Sequence, residues 1–514
     1  KHKSLTINIK QNYKHMKKLF LILACCFLNS MIFAQSTKLK VSESPEFKDI
    51  EKAKSILAIY TNKENKTAVL RSSKRNFMFD IFDENLNKIH NQIIESNKKE
   101  EYIGHVAYND IIDFITVFSP KKKERVIYCH SLNLVSKSYK KTKLFGTTVE
   151  KNQALFSGSN KRETNIAISP NGQYLVIATD NIKKNANAYK VHVYNTNNFE
   201  LKYTKDYQKH KDKYYEPNDL AIDDQATVYV LGKLFKEGKK QKKNGEANYQ
   251  FTLSKVNKAS KKDLKINLVD DLHIQSIVIN NSNNDIKLLG FYSTTKVGRI
   301  KGGCSFLINP NTMAVIKSQT TELPNQVYED LYGYRKALKK KKKGKELKSF
   351  YVDYVLLDSN GNTYILAEEF YITQVYVSGG MNGGGYTHTT YHYDDILIMK
   401  FDNNGKLDWS RSIFKKAASP SYNAFIKNDE LHVLLNSGKN LNEKNDGRTK
   451  VSKGWFESSA LFDFTYNNSG EVTHNKIQNN KGNTYYLPYY GTFENNTFLM
   501  MSSGRKKRQF MKLE

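Results

Sequence analysis

Cysteine is scarce, with four residues in a chain of 514, and proline (8) and tryptophan (2) are scarce as well. Cys25 and Cys26 lie in an apolar segment near the start, which leaves Cys129 and Cys304 for the body of the chain. Two lone cysteines so far apart do not make a disulfide framework. Each sits in an apolar, strand-like run and reads as a small buried side chain. The composition excludes collagen and coiled coil as well. Beyond that one segment there is no long apolar run, so a polytopic membrane protein is excluded and no transmembrane span is expected. Acidic residues are the minority, 51 against 81 Lys and Arg, for a net charge of +30. Aromatics are plentiful, with 33 Tyr and 27 Phe. That excludes a disordered chain. The length exceeds the roughly 250–300 residues that one simple core can fill, so the chain has several domains or a repeat architecture.

The apolar segment reads as an address. From Met16 the sequence runs MKKLFLILACCFLNSMIFAQS, with two lysines, an apolar stretch Leu19–Ala34 broken by Asn29 and Ser30, and a small-residue site before Gln35. This is the pattern of a secretory signal peptide cut after Ala34. Ile22-Leu23-Ala24-Cys25 loosely resembles a lipoprotein signal but would leave a very short apolar region, so lipid anchoring is the minor alternative. Residues 1–15 read as upstream sequence, 16–34 as the signal and 35–514 as one folded domain. The chain is expected to be exported, and periplasmic or associated with the outer membrane.

Within the domain, β-branched and aromatic residues alternate over four to eight positions between Asn, Asp and Gly turns. That is strand periodicity. One unit is clear at 164–205: TNIAISP, the turn NG, QYLVIAT, a polar loop, YKVHVYN, the turn TNN and FELKYTK. The order is four strands, a to d, with short a–b and c–d turns and a longer b–c loop. Similar units begin at 218, 275, 352 and 422, fainter ones at 55 and 105, and a partial one at 486. Such regular repeats predict an all-β fold, a single β-propeller of eight four-stranded blades, with seven as the alternative count. The last unit stops after strand c. The alternating segment Thr37–Val41 is therefore expected to supply its missing outer strand and close the ring, which removes an exposed edge.

Ser169-Pro170-Asn171-Gly172-Gln173-Tyr174 resembles the Ser-Pro-Asp-Gly-x-Tyr blade signature of the periplasmic propeller of the Tol system, with Asn171 in place of Asp. Asp394–Trp409 (DDILIMKFDNNGKLDW), the Phe-Ala-Gln cleavage context and the Lys/Asn/Tyr bias resemble secreted propeller proteins of Bacteroidetes-type bacteria. These likenesses imply an architecture. They are turn chemistry and say nothing about activity.

Catalytic signatures are missing: there is no GxSxG, no HExxH, and no phosphate loop leading into a helix. The richest cluster is in the sixth unit. Glu368 and Glu369 end strand b, Asp394 and Asp395 begin strand c, and His388 and His392 lie on the hairpin between them. Strand pairing brings both carboxylate pairs to one blade end, where a divalent metal or a glycan-directed acid pair would fit. The bland alternative is a solvated hairpin, and no cofactor is predicted. Trp455, closing a polar loop, is a candidate sugar platform. The remaining signal is charge. The fourth unit's b–c loop carries Lys239, Lys240, Lys242 and Lys243, and the connection from fifth to sixth unit carries Lys339, Lys340, Lys341, Lys342 and Lys343, expected to fray from a short helix begun near Tyr328. Pro324 should end the preceding strand and start this excursion. In a propeller these segments emerge on one face. The expectation is a monomeric, non-enzymatic binding or scaffold module whose basic face takes an acidic envelope polymer or protein: an anionic glycan, lipid headgroups or an acidic protein. Nucleic acid is no physiological partner for an exported chain. A propeller hydrolase or lyase acting on a polysaccharide or lactone is the alternative.

Overall fold

The computed structural model describes residues 38–49, 52–53, 55–73, 76–148, 165–183, 186–210, 213–243, 246–282, 285–377, 386–446, 448–452, 458–482, 485–504 and 507–514. It divides into a unit Lys1–Leu39, of which 38 and 39 are described, and a unit Lys40–Glu514 that holds every sheet. The leader, Thr37 and Trp455 lie outside the described residues.

The second unit is built of antiparallel sheets in chain order, the organisation of a β-propeller. The first pairs Ser55–Thr61, Thr67–Ser72, Asn76–Phe82 and Lys88–Glu95, and the second Glu100–Tyr108, Ile111–Phe118, Glu124–Asn133 and Tyr139–Thr148. The third has Ile166–Ile168, Tyr174–Lys183, Ala186–Asn195 and Leu201–His210; the fourth has Tyr214–Ile222, Val228–Phe235, Gln250–Val256 and Lys261–Ile266. The fifth comprises His273–Ser282, Asp285–Ser293, Gly302–Asn309 and Ala314–Glu322. The sixth comprises Phe350–Leu357, Thr363–Val377, Tyr386–Phe401 and Leu407–Lys415, extended by Thr449–Val451 and Asn442–Glu443. The seventh has Tyr422–Lys427, Glu430–Gly438, Ser459–Tyr466 and Val472–Asn479. In the eighth, Thr492–Glu494, Thr497–Met501 and Phe510–Leu513 are joined by Val41–Glu43, which runs antiparallel to the last strand with Val41 opposite Leu513. The N-terminal strand thus lies a few residues later than Thr37–Val41, and Lys40 exchanges both backbone hydrogen bonds with Glu514.

The turns explain why strands end where they do. Asp83, Asp223, Asp358, Asp402 and Asn467 each accept from the backbone N–H groups two and four residues on. An Asx side chain that replaces a backbone acceptor in this way folds the chain back within four residues. The left-handed position of these tips is Gly361, Gly405 and Gly470 in three of them, but Leu86 and Ala226 in the others.

The core lies between sheets. Leu70, Phe79, Ile112 and Phe114 fill the space between the first two, and Val191, Val193, Val228 and Val230 that between third and fourth. Strand b of each sheet is covered on both faces, as Ile365, Leu366 and Ala367 show. Each fully buried Ile, Leu or Phe stabilises the fold by about 1.5–3 kcal/mol. Polar side chains inside the sheets pair across strands: Arg71 with Asp80 at 2.6 Å, His432 with Asp463 at 2.9 Å, and His192 with Thr179 and Thr204. Cys129 and Cys304 are both free and buried.

Pro324, with φ near −64°, follows strand d of the fifth sheet and caps helix α1 (Asn325–Tyr332). The lysine run does not fray. It forms a second helix, α2 (Tyr334–Lys342), and Lys343 caps it by donating to Lys339. Cations in the last turn match the negative end of the helix dipole, which offsets part of their mutual repulsion. The break falls at Gly333, where φ is +77° and a Cβ would collide with the Asp446 carboxylate. Val327, Tyr328, Leu331 and Ala337 pack with Val278, Leu289, Ile365 and Met399, so the helices seal the gap between fifth and sixth sheets.

Candidate functional site

The acidic cluster stands on a β-bulge. In the sixth sheet Glu368 faces Ile396 and Phe370 faces Tyr393, so Glu369 alone opposes both Asp394 and Asp395. Regular strands would send adjacent side chains to opposite faces. A bulge re-aims them. Glu368, Asp394 and Asp395 are buried and Glu369 is half-buried. The buried Lys415 Nζ lies 2.6 Å from Glu368 Oε1 and 2.7 Å from the Tyr393 carbonyl, and its backbone N–H donates to Asp395 Oδ1 at 3.1 Å. Tyr371 Oη donates to Asp394 Oδ2 at 2.8 Å. Burial, then the neighbouring Glu369 carboxylate, pushes Asp395 up to about 8. Burial, then Asp394, pushes Glu369 up to about 6. Burial raises Glu368 as well, against the pull of Lys415. Asp395 therefore carries a proton at neutral pH beside an ionised neighbour, an arrangement able to give or take a proton.

The two histidines stand outward along the hairpin. His392 is opposite Tyr371, stacked on its ring at 4.4 Å, and its Nε2 lies 2.9 Å from Thr373 Oγ1. His388, opposite Val375, lies 3.3 Å from Thr390 Oγ1. Six residues of strand put it roughly 20 Å from Asp394. Among the described residues no group of three or more His, Cys, Asp or Glu side chains is assembled to hold a metal ion. The place beside Glu368 is taken by the Lys415 ammonium.

The structure joins what the sequence kept apart. Lys340 Nζ lies 3.9 Å over the Tyr332 ring. Tyr332, at the end of α1, has its hydroxyl raised by burial and by the Asp395 and Glu369 carboxylates. Glu369 in turn feels Lys348, Lys416 and Lys340. The lysine helix thus flanks the acid cluster, while Lys339, Lys341, Lys342 and Lys343 are exposed. In the fourth sheet's loop Lys239, Lys240, Lys242 and Lys243 are exposed too, with Lys242 Nζ 2.5 Å from Glu216 Oε2.

These insertions are not separate tails. The fourth sheet's loop bridges to the fifth's through Glu246 and Val297, with Ala247 N–H donating to the Lys296 carbonyl at 2.7 Å. The fifth sheet's loop pairs Arg299–Ile300 with Leu347–Lys348, beyond the helices. The seventh sheet's insertion lays Lys450 and Val451 parallel to Phe414 and Lys415, and Arg448 donates to the Leu331 carbonyl at 2.6 Å. One hydrogen-bonded layer results over the fourth to seventh sheets. Three of its acids are ion-paired locally: Glu322 to Lys301, Asp330 to Arg411 and Asp446 to Arg448.

Sequence reasoning missed two further features. A cavity of about 500 Å³ is lined by the inner strands of the fourth, fifth and sixth sheets, with Asp219, Asn280, Asn281, Asp353 and Tyr354 on its wall. An aromatic stripe follows alternate positions of the sixth-sheet hairpin: Phe370 with Tyr393 at 4.8 Å, then Ile372 opposite Tyr391. The available signal was negative, since Phe370 to Tyr393 contains no Lys, Arg, Asp or Glu in a chain that is 26% charged.

No protein-family model matches the chain, and no curated protein matches it. Among solved structures it is similar to the β-propeller domain of the Trilobed protease from Pyrococcus furiosus, at 11% identity and TM-score 0.36, over 80% of this chain and 95% of that one. It is also similar to oligogalacturonate lyase from Vibrio parahaemolyticus, at 10% identity and TM-score 0.39, over 93% and 97%. A third likeness is to Porphyromonas gingivalis dipeptidyl peptidase 4, at 10% identity and TM-score 0.42, where 88% of this chain spans 57% of that protein. The activities in those names stay with those proteins.

Proposed function

We propose that the chain is an exported, eight-bladed propeller that acts in the periplasm or at the outer membrane as a non-enzymatic binding module, its basic layer recruiting an anionic glycan. A closed ring is supported by the packing of innermost strands: first on second, third on fourth, fourth on fifth, sixth on seventh and eighth on first. The N-terminal strand beside Phe510–Leu513 supports it too, and kinship with Tol-type or Bacteroidetes-type propellers is part of the same reading. The observation that carries the function is the hydrogen-bonded layer of insertions, which holds Lys239–Lys243 and Lys339–Lys343 in fixed relation. Preorganised like charge raises the local concentration and association rate of an anion, and weakens steeply with salt. Among the described residues no helix is long and apolar enough to cross a membrane.

The test replaces Lys239, Lys240, Lys242, Lys243 and Lys339–Lys343 by Gln and measures binding to an anionic envelope polysaccharide across a salt series. A loss of about tenfold or more, with a flattened salt dependence, is expected. Unchanged affinity, or affinity indifferent to salt, sinks the reading. A second reading, a hydrolase or lyase, is favoured by the raised Asp395 beside Glu369. It requires that Asp395→Asn abolish turnover of a polysaccharide or lactone while leaving binding intact.

A further inference from the structure

The sixth-sheet hairpin extends past the bulge as a two-stranded ribbon, Phe370–Val377 against Tyr386–Tyr393. Two strands alone are marginal in water, and exposed apolar side chains on such a ribbon need a reason. One face presents Tyr351, Ile372 and Tyr391, which are 51%, 48% and 50% exposed, around the Phe370–Tyr393 ring pair. Tyr351 lies 6.2 Å from Phe370, edge on. Inward, Tyr393 is within electrostatic reach of Glu368 and Asp353, and Tyr489 of Asp353 and Tyr393, with the half-exposed Tyr490 at 5.2 Å from Tyr489. Asp353 also lines the cavity of about 500 Å³. Tyr351 and Asp353 stand two residues apart on the strand Phe350–Leu357, so the stripe begins beside the cavity wall.

We propose that this stripe is a stacking track for a neutral saccharide chain whose end enters the cavity lined by Asp219, Asn281 and Asp353. Three observations select this occupant. Aromatic faces bind the apolar C–H face of a pyranose, and a Tyr hydroxyl at the rim hydrogen-bonds its edge. The ribbon carries no Lys, Arg, Asp or Glu, and His388 and His392 belong to its other face, so the stripe offers nothing to an anionic chain, in contrast to the lysine layer. The cavity's carboxylates are nine-tenths buried and held in place, Asp219 by the Leu220 and Ile279 N–H groups and Asp353 by Tyr422 Oη, and they repel anions while their second lone pairs can accept from a hydroxyl. On the same face Gln374 stands opposite Thr389, and this pair adds neutral hydrogen-bonding groups.

The test is calorimetric titration of the full chain with maltohexaose, cellohexaose, laminarihexaose and chitohexaose. At least one is expected to bind, unchanged from about 50 to about 500 mM salt because the ligand carries no charge. The exposed double variant Tyr351→Ala/Tyr391→Ala should weaken it about tenfold or more, and Asp353→Asn should weaken it while the fold, read by thermal melting, is kept. The Lys→Gln variant of the basic layer should bind the neutral sugar as the native chain does, so this inference and the anionic reading fail separately. No binding of any of the four sugars, or full binding by the double variant, overturns the proposal. So does a native dimer in sedimentation that Tyr391→Ala dissociates, since the stripe then belongs to a second copy.

Discussion

The second and sixth sheets both bury carboxylates and treat them in opposite ways. In the second, Glu100 Oε1 takes His130 Nε2 at 3.0 Å, Lys141 Nζ at 2.9 Å and Thr116 Oγ1 at 2.7 Å. Burial alone would raise that carboxyl, but these donors outweigh it and hold the group well below the usual range. In the sixth, the Lys415 ammonium bonds Glu368 alone among the four carboxyls, and Asp395 and Glu369 rise. The sites differ in the count of donors per carboxylate. A satisfied ladder stiffens a blade. An undersupplied one leaves protons to move, and in this chain it sits beside the exposed lysine helix.

The most damaging break is Lys415→Met, which strips the sixth-sheet cluster of its bonded cation. A loss of about 3–5 kcal/mol is expected in denaturant unfolding. Adding Glu368→Gln should recover more than half of it, because the stranded charge goes too. Glu100→Gln in the second sheet exchanges charge-assisted bonds for neutral ones and should cost about 1.5–3 kcal/mol by the same measurement.

Titration sharpens the contrast, because the two sheets have opposite signs. Asp395 has a folded value above its unfolded one near 3.9, so the stabilisation from its bound proton is complete below that value and is lost as pH rises through about 8. Glu100 has a folded value below its unfolded one near 4.3, so its contribution is present above that pH and is lost as pH falls. Urea midpoints should decline between about pH 4 and about pH 8 in the native chain, and Asp395→Asn should flatten that decline. Glu100→Gln should instead flatten the acid side. Equal effects on both sides from either variant would erase the distinction.

The smallest expected effect is that of Tyr371→Phe, which removes one half-exposed donor to Asp394. About 0.5–1 kcal/mol should be lost, with the fold unchanged in circular dichroism.

Local chemistry was legible in the residues themselves. Alternation marks strands because side-chain period two is a property of the extended backbone, and Asp402-Asn403-Asn404-Gly405 marks a turn because its own side chain supplies the acceptor. Pro324 announced the end of a strand for the same reason: the constraint is inside the residue. Placing Glu368, Glu369, Asp394 and Asp395 at one blade end needed only strand pairing. Their environment was not legible. Lys415 reaches Glu368 across strand c, Lys340 comes to Glu369 from a different connection, and the one-against-two bulge shifts which faces they share. The helical lysine run was misread because its stability comes from Val327, Leu331 and Ala337 packing between sheets, which no local propensity records. Sequence alone determined the strands, their tips, the repeat and the positive balance, since each is decided within a few residues. Only the tertiary structure decided which loops interlock, which carboxyls keep a proton and which aromatics face water, because those depend on distances between residues far apart in the chain.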